Sequence, residues 1–259
     1  MADRLITRAK VDRYHFEALS WQARVRAAGG SLTQTRLDAV DKYFKLLDNF
    51  NLRSYVKRAN LFIGANLAAA LVPAIIDLGD PQDFNNGFVS ADRATSLGLT
   101  GQTSSTKWLE PGMNRNQLPA DSVHLLAYET AIYYPVAFEG MITSSTAMTL
   151  GVNIDNYYTR LNTASSLASA DNILGVGPTI SSIVGTRLAL NKNGTVVFNT
   201  QTPTAGASSF YIFRRNTDET YGSSLGGYQI GLGLTDSQCN DMARIWVEVQ
   251  RLASRPTPY

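Results

Sequence analysis

Arg187-Leu-Ala-Leu-Asn-Lys-Asn193-Gly194-Thr-Val-Val-Phe198 is the stretch that decides the fold class. Asn193 and Gly194 tolerate the positive φ that a two-residue hairpin turn requires, and β-favouring residues stand on both sides. The same texture extends outward from it. Short apolar or alternating runs occur at Gly87–Ser90, Thr106–Leu109, Val123–Ile132, Gly140–Thr143, Ala147–Val152 and Tyr157–Leu161. They continue at Ile180–Leu190, Thr195–Asn199, Ser209–Arg214 and Gly227–Leu232. Clusters of Gly, Asn, Ser, Thr and Asp separate them. Many short strands with turn chemistry between them predict an antiparallel sandwich or barrel.

Both ends of the chain carry helical periodicity instead. Tyr14, Ala18, Trp21, Val25 and Ala28 form one apolar stripe, and Gly29-Gly30 ends it. Ser31-Leu-Thr-Gln34 has the pattern of a capping box, and a second stripe follows in Leu37, Val40, Phe44 and Leu47. Thr235-Asp-Ser-Gln238 is another capping box, opening a helix over 236–254 whose stripe is Cys239, Met242, Trp246 and Val249. The N-terminal stripes are too short for a coiled coil of their own, so something else has to cover them: each other, the following domain or a neighbouring subunit. Tyr14, Trp21, Val25 and Phe44 are the candidate docking residues. The expected organisation is a helical docking segment at 1–60, an apolar connection at 61–80, and a β-sandwich with its C-terminal helix at 81–259.

Composition narrows the function. The 259 residues are 44% hydrophobic and only 17% charged, against roughly 25% charged in an ordinary globular chain. One cysteine and two histidines exclude a disulfide framework and a structural zinc site. Met1–Arg8 has no signal-peptide core, and Leu61–Ile76, broken by Gly64, Asn66 and Pro73, is too short to cross a bilayer. Synthesis in a cytoplasm and no membrane insertion are expected. Residues 1–60 hold 12 basic and 6 acidic side chains, the remainder 11 and 15. The basic ones are spread singly, which suits a solvated helix face or protein docking and not a nucleic-acid groove.

The Arg187–Met242 region resembles the last third of a laminin-G-like module, the concanavalin-A-like lectin and glucanase sandwich. The residues that carry the likeness are the Asn193-Gly194 hairpin, Phe210-Tyr-Ile-Phe213 and Gly233-Leu-Thr-Asp-Ser-Gln238. The whole chain also resembles a set of proteins of tailed bacteriophages and some bacteria. The matching pieces are Trp21-x-x-Arg-Val25-x-x-Ala-Gly-Gly30, Gly64-Ala-Asn66-Leu-x-Ala-Ala70-Leu-Val-Pro73, Phe88-Val-Ser90-x-Asp92, Gly98-Leu-Thr-Gly101 and Ser104-Ser-Thr-Lys107-Trp-Leu109. This resemblance implies a virion structural protein of the tail-fibre or baseplate type, localised in the virion among other virion proteins. It also implies a homo-oligomer, in tail appendages often a trimer. A head decoration or connector protein with a purely structural role is the alternative.

No enzyme is expected. A glucanase on such a sandwich needs paired carboxylates about 5–5.5 Å apart, whereas Glu110, Glu129 and Glu139 stand alone, as exposed strand-end charges. His124 is taken for a satisfied core histidine and Cys239 for a small buried hydrophobe. Asp77, Asp80 and Asp83 form the densest oxygen cluster; calcium is the ion it would take, though turn chemistry alone also accounts for it. No other cofactor is implied. The binding candidates are aromatic: Trp108, Tyr133, Tyr134, Tyr157, Tyr158 and Tyr228. Their rings suit a host-surface glycan, while paired tyrosines on a strand also arise simply from one ring facing the core.

Overall fold

The structure, a computed structural model, describes residues 13–102, 106–131, 140–141, 147–152, 157–163, 167–168, 175–204, 209–214 and 223–258. The chain opens with α1 (Phe16–Ala27) and α2 (Gln34–Asn49), followed by β1 (Val56–Asn60), a one-turn α3 (Leu67–Ala70) and β2 (Ile75–Ile76). Next come β3 (Phe84–Asn86), β4 (Arg93–Ala94), β5 (Gly98–Thr100), β6 (Trp108–Glu110) and β7 (Ser122–Ala131). The short β8 (Gly140–Met141), β9 (Ala147–Val152), β10 (Tyr157–Thr163) and β11 (Leu167–Ala168) follow. The chain closes with β12 (Gly177–Val184), β13 (Arg187–Lys192), β14 (Thr195–Thr200), β15 (Ser224–Gly231) and α4 (Asp236–Leu252).

These elements make three layers. The main antiparallel sheet runs β14-β13-β12-β7-β15-β1-β2, with β5 paired to β15 and β4 to β5. A second sheet, β11-β10-β9-β8, covers one face, and α1, α2 and α4 cover the other. Strand β7 shows why both covers are needed. Leu126 and Tyr128 enter a cluster with Trp21, Val40, Tyr43, Phe44 and Trp246 from the helices. Leu125 and Ala127, pointing the opposite way, join Leu150 and Leu161 of the second sheet. Alternation along a strand supplies one side chain to each layer in turn. Because both faces are buried, the strand is a nearly unbroken apolar run.

The hairpin that anchored the fold forms as expected. Asn193 and Gly194 sit at φ 50° and 92°, between β13 and β14, which pair from Arg187 opposite Thr200 to Lys192 opposite Thr195. The α4 capping box also forms: the Thr235 N–H donates to Gln238 Oε1 at 2.9 Å, and the Gln238 N–H donates to Thr235 Oγ1 at 3.4 Å. At the end of α1, Gly29 adopts φ 73° and the Gly30 N–H donates to the Val25 carbonyl at 2.8 Å. A side chain at Gly30 would collide with Val25 and Ala69, so the tight stop also lets α1 approach α3.

Several expectations change. The run at 180–190 is a hairpin of two strands, β12 and β13, turning at Gly185 with φ 59°. The run at 209–214 makes isolated bridges, Asn114 with Ser209 and Leu109 with Ile212, in place of a strand. The Ser31–Gln34 capping box is absent: α2 starts at Gln34 with Thr33 as N-cap and no side-chain cap. Ser31 is used otherwise, its carbonyl accepting from the Ala65 N–H at 2.8 Å and its N–H donating to Asn66 Oδ1 at 3.3 Å.

The division at residues 60 and 80 also dissolves. β1 pairs with β15 and with β2, so the N-terminal segment and its connection complete the main sheet. Tyr14, Trp21, Val25 and Phe44, expected to dock on a neighbour, are instead buried inside this chain's own core. Trp21 Nε1 donates to the Val72 carbonyl at 2.9 Å, and Arg24 reaches the Pro73 and Ala74 carbonyls at 2.8 and 2.9 Å. Burying an aromatic or aliphatic side chain is worth about 1.5–3 kcal/mol, and the protein's own sheet already supplies that gain.

A polar chain crosses the interface between helices and sheet. Gln229 Oε1 accepts from Tyr43 Oη at 2.6 Å and from Trp246 Nε1 at 3.0 Å, and its amide nitrogen donates to His124 Nε2 at 2.7 Å. With Nε2 accepting, the proton is on Nδ1, which donates to the Leu232 carbonyl at 2.6 Å. Burial holds the imidazole neutral and pulls its pKa down to about 4, against the pull of Leu232. The unfolded histidine titrates near 6.5. Between these values the unfolded state binds the extra proton, so His124 stabilises the fold above about pH 6.5. That contribution is lost as pH falls towards 4. Urea unfolding of the protein and of His124→Gln at pH 7.5 and 4.5 tests this. The parent is expected to lose about 2 kcal/mol more than the variant over that interval; equal losses would refute the neutral assignment.

Candidate functional site

Strands β3 and β6 form a separate two-stranded ribbon with Phe84 opposite Glu110, Asn85 opposite Leu109 and Asn86 opposite Trp108. Leu109 points inward and is fully buried, so Trp108 and Glu110 point outward with Phe84 beside them. Asn85 pins the turn after β3, donating to the Phe88 carbonyl and accepting from the Phe88 N–H, both at 2.9 Å. The 209–214 segment is laced to the ribbon by two bonds between Leu109 and Ile212, at 3.0 and 2.9 Å. Phe210 and Ile212 are thereby buried, and Tyr211 between them is half-buried, with its ring against Trp108.

This local geometry assembles an aromatic patch on the surface. The Phe84 and Trp108 rings lie 5.9 Å apart, and Trp108 meets Tyr211 edge-on at 5.2 Å. The Arg214 guanidinium lies 4.8 Å from the Trp108 ring centre and 5.3 Å from that of Tyr211. Phe84 keeps 57% of its surface exposed. Contact among the rings and the cation fixes their orientation before any ligand arrives. By contrast, the cavity bordered by Leu125, Leu150, Ile212 and Tyr228 measures about 10 Å³, roughly room for one water.

Of the two aromatic candidates whose side chains are described, Trp108 belongs to this patch and Tyr228 does not. Tyr228 is buried on the sheet face opposite the helices and is unavailable to a ligand. Its hydroxyl donates to Asp83 Oδ1 at 2.6 Å and accepts from Arg58 Nε at 3.0 Å. Tyr133 and Tyr134 lie outside the described residues, as do the side chains of Tyr157 and Tyr158, whose backbones belong to β10. Phe84, Tyr211 and Arg214 were missed by sequence reasoning. The alternation in Phe210-Tyr-Ile-Phe213 carried a signal for Tyr211, because a half-buried ring between two buried residues is what a strand-like segment presents.

The acidic candidates do not converge. Asp83 is buried, with Oδ1 accepting from Arg58 Nη2 at 2.6 Å and Oδ2 from Asn60 Nδ2 at 2.7 Å. Asp77 faces Lys57 at 3.7 Å, and Asp80 meets Arg58 through its backbone carbonyl at 2.7 Å. No group of three or more His, Cys, Asp or Glu side chains suited to a metal occurs among the described residues. The expected calcium cluster is thus a buried ion pair with its neighbours turned elsewhere. Desolvation opposes the Arg58 charge, but Tyr228 and Asp83 outweigh it and hold the guanidinium above its ordinary pKa.

Glu129 also departs from expectation. It is buried beside Lys192, to which it is ion-paired, and accepts from Thr179 Oγ1 at 3.0 Å. Glu110 is on the outer ribbon, and Glu139 lies outside the described residues. Glu110 and Glu129 therefore occupy the surface and the core, not one cleft. Cys239 packs under α4, where burial pushes its thiol pKa up to about 12, far from a nucleophile's range.

No family model and no curated protein matches the sequence. Solved structures do share its fold. The binding domain of botulinum neurotoxin serotype D aligns with a TM-score of 0.54 at 10% identity, over 77% of this chain and 52% of that one. The binding domain of botulinum neurotoxin DC in complex with SialylT aligns with a TM-score of 0.53 at 8% identity, over 74% and 52%. This chain spans about half the length of those proteins. The likeness identifies the fold as a mainly antiparallel, concanavalin-A-like β-sandwich, here with helices on both sides of the β region in sequence.

The Asp83 assignment is directly testable. Removing one partner of a buried, hydrogen-bonded ion pair costs about 3–5 kcal/mol. Asp83→Ala is expected to lose stability of that order in chemical unfolding, whether or not millimolar calcium is present. A loss below about 1 kcal/mol, or a loss that grows when calcium is added because calcium stabilises the parent alone, would show that the carboxylate is not held as described.

Proposed function

We propose that this chain is a non-enzymatic carbohydrate-binding module whose contact surface is the Phe84–Trp108–Tyr211 patch with Arg214. The observation that carries the reading is the packing of three aromatic rings and a cation at the surface, braced by backbone bonds on either side. Aromatic faces stack on the apolar C–H faces of sugars, and a tyrosine hydroxyl adds a polar edge. Glu110, on the same outward face of the ribbon, offers a hydrogen-bond acceptor for sugar hydroxyls. The lectin-type fold supports the reading, as does a fold neighbour that was solved with SialylT bound.

The resemblance to bacteriophage proteins extends the proposal. The module works in the virion, on a tail appendage built with other virion proteins, and attaches the particle to a host-surface glycan as one copy of a homo-oligomer, a trimer in the simplest case. Since the apolar stripes of α1 and α2 are covered internally, docking falls to their outer faces, where Arg26 and Lys45 are exposed.

An immobilised glycan array, supplemented with bacterial surface polysaccharides, tests the binding reading. The expected result is at least one bound glycan, with Trp108→Ala weakening it by about tenfold or more, the loss of roughly 1.4 kcal/mol of contact, while circular dichroism is unchanged. Binding that survives both Trp108→Ala and Phe84→Ala, or no glycan bound at all, would overturn it.

A further inference from the structure

Three arginines meet where the start of α2, the 61–66 segment and β4 come together. Arg36, in the first turn of α2, donates from Nη2 to Thr95 Oγ1 at 3.0 Å. Arg93 donates from Nη1 to the Ala65 carbonyl at 3.0 Å and from Nη2 to the Gly64 carbonyl. Arg255 is buried behind them, reaching the carbonyls of Leu61 at 2.8 Å, Phe62 at 2.7 Å and Thr95 at 3.3 Å. The Ser31 carbonyl accepts from the Ala65 N–H, which ties the loop before α2 to the residues that hold Arg93.

What distinguishes the cluster is the lack of a counter-charge. Among the described residues no carboxylate pairs with any of the three; their recorded partners are carbonyls, the Gln250 amide oxygen and the Thr95 hydroxyl. The acids nearest in sequence are engaged elsewhere. Asp38 is held by Tyr14 at 2.5 Å and Gln34 at 3.0 Å, and Asp92 by Lys107 at 2.6 Å and the Val89 N–H at 2.8 Å. Arg93 Nε is buried with no partner at all. Burial first, then Arg93 and Arg36, together lower the Arg255 pKa to about 9, so the charges feel one another. In addition, the first turn of the 16-residue α2 has no side-chain cap at Thr33 and no acidic residue, leaving its positive end uncompensated.

We infer that Arg36 and Arg93, backed by Arg255, form an oxyanion-binding site for a phosphate or sulfate group. A guanidinium presents a planar fork of donors to such oxygens, the uncapped helix end adds its partial positive charge, and the exposed Thr95 hydroxyl lies on the rim. The anion relieves the repulsion among three like charges. The site does not depend on the carbohydrate patch. The group has two sources: the free inorganic anion, or an ester on a polymer such as a phosphorylated surface polysaccharide.

Calorimetric titration of the full chain with inorganic phosphate, glucose-6-phosphate and glucose, at matched ionic strength in chloride, tests the inference. Binding of phosphate or of its ester is expected, with no binding of glucose. Arg36→Gln, at a part-exposed position, is expected to weaken it by about tenfold or more, one charge-assisted hydrogen bond's worth, with the unfolding midpoint in chloride nearly unchanged; Arg93→Gln is expected to weaken it as much while also lowering that midpoint, because the Gly64 and Ala65 carbonyls lose their donor. Tighter binding of the ester than of phosphate, lost in the same variants, identifies the polymer as the source; the reverse order identifies the free ion. No binding of either anion, or equal binding in parent and variants, would overturn it. Because Trp108→Ala leaves this site intact, failure here and failure of the glycan reading are separable.

Discussion

The main sheet is apolar on both faces, and this doubled requirement for cover organises the rest of the molecule. Strands β7 and β12 send side chains into two separate clusters, so neither the helices nor the second sheet is dispensable. The helical layer meets the sheet around Gln229, whose amide satisfies Tyr43, Trp246 and His124 together. A misplaced α2 or α4 would strand several of these groups without partners, at about 1–3 kcal/mol each. The polar chain thus fixes where the oily surfaces come to rest.

Other buried charges lie at seams between elements distant in sequence. Arg58 joins β1 to the 78–83 loop and to β15 through Asp83 and Tyr228. Glu129 and Lys192 join β7 to β13 across β12. Such pairs contribute little net stability relative to apolar packing, yet a shifted register would leave a charge buried and alone. Their position at strand crossings accords with a role in selecting one register.

How much of this was legible follows from the range of each interaction. The Asn193-Gly194 hairpin, the Thr235 capping box and the three helices depend on neighbours within a few residues, and they stood out. The break inside 180–190 did not, because Gly185 sits in a run of β-favouring residues without a second turn residue of the Asn-Gly kind. The fates of the candidate residues depended on partners far along the chain. Asp83 looks like a surface turn residue until Arg58 and Tyr228 arrive, and Glu129 looks like a lone charge until Lys192 does. Trp108 was visible as an aromatic near a turn, but the rings that give it company, Phe84 and Tyr211, come from 24 positions before it and 103 after it. The docking stripe was correctly seen as needing a cover; periodicity does not say whether the cover is a neighbour or the chain itself.

The pairing of β1 with β15 has a consequence for synthesis. Val56 lies opposite Gly231 and Asn60 opposite Tyr228, so β1 waits for a strand made far later. Closing so long a loop is slow, since its entropy is spent before the contacts repay it. While the ribosome is still extending the chain, the greasy sides of α1 and α2 do not yet have α4 to lie against. The nascent polypeptide is therefore a natural client for chaperones that shield apolar surface until those later elements have been made.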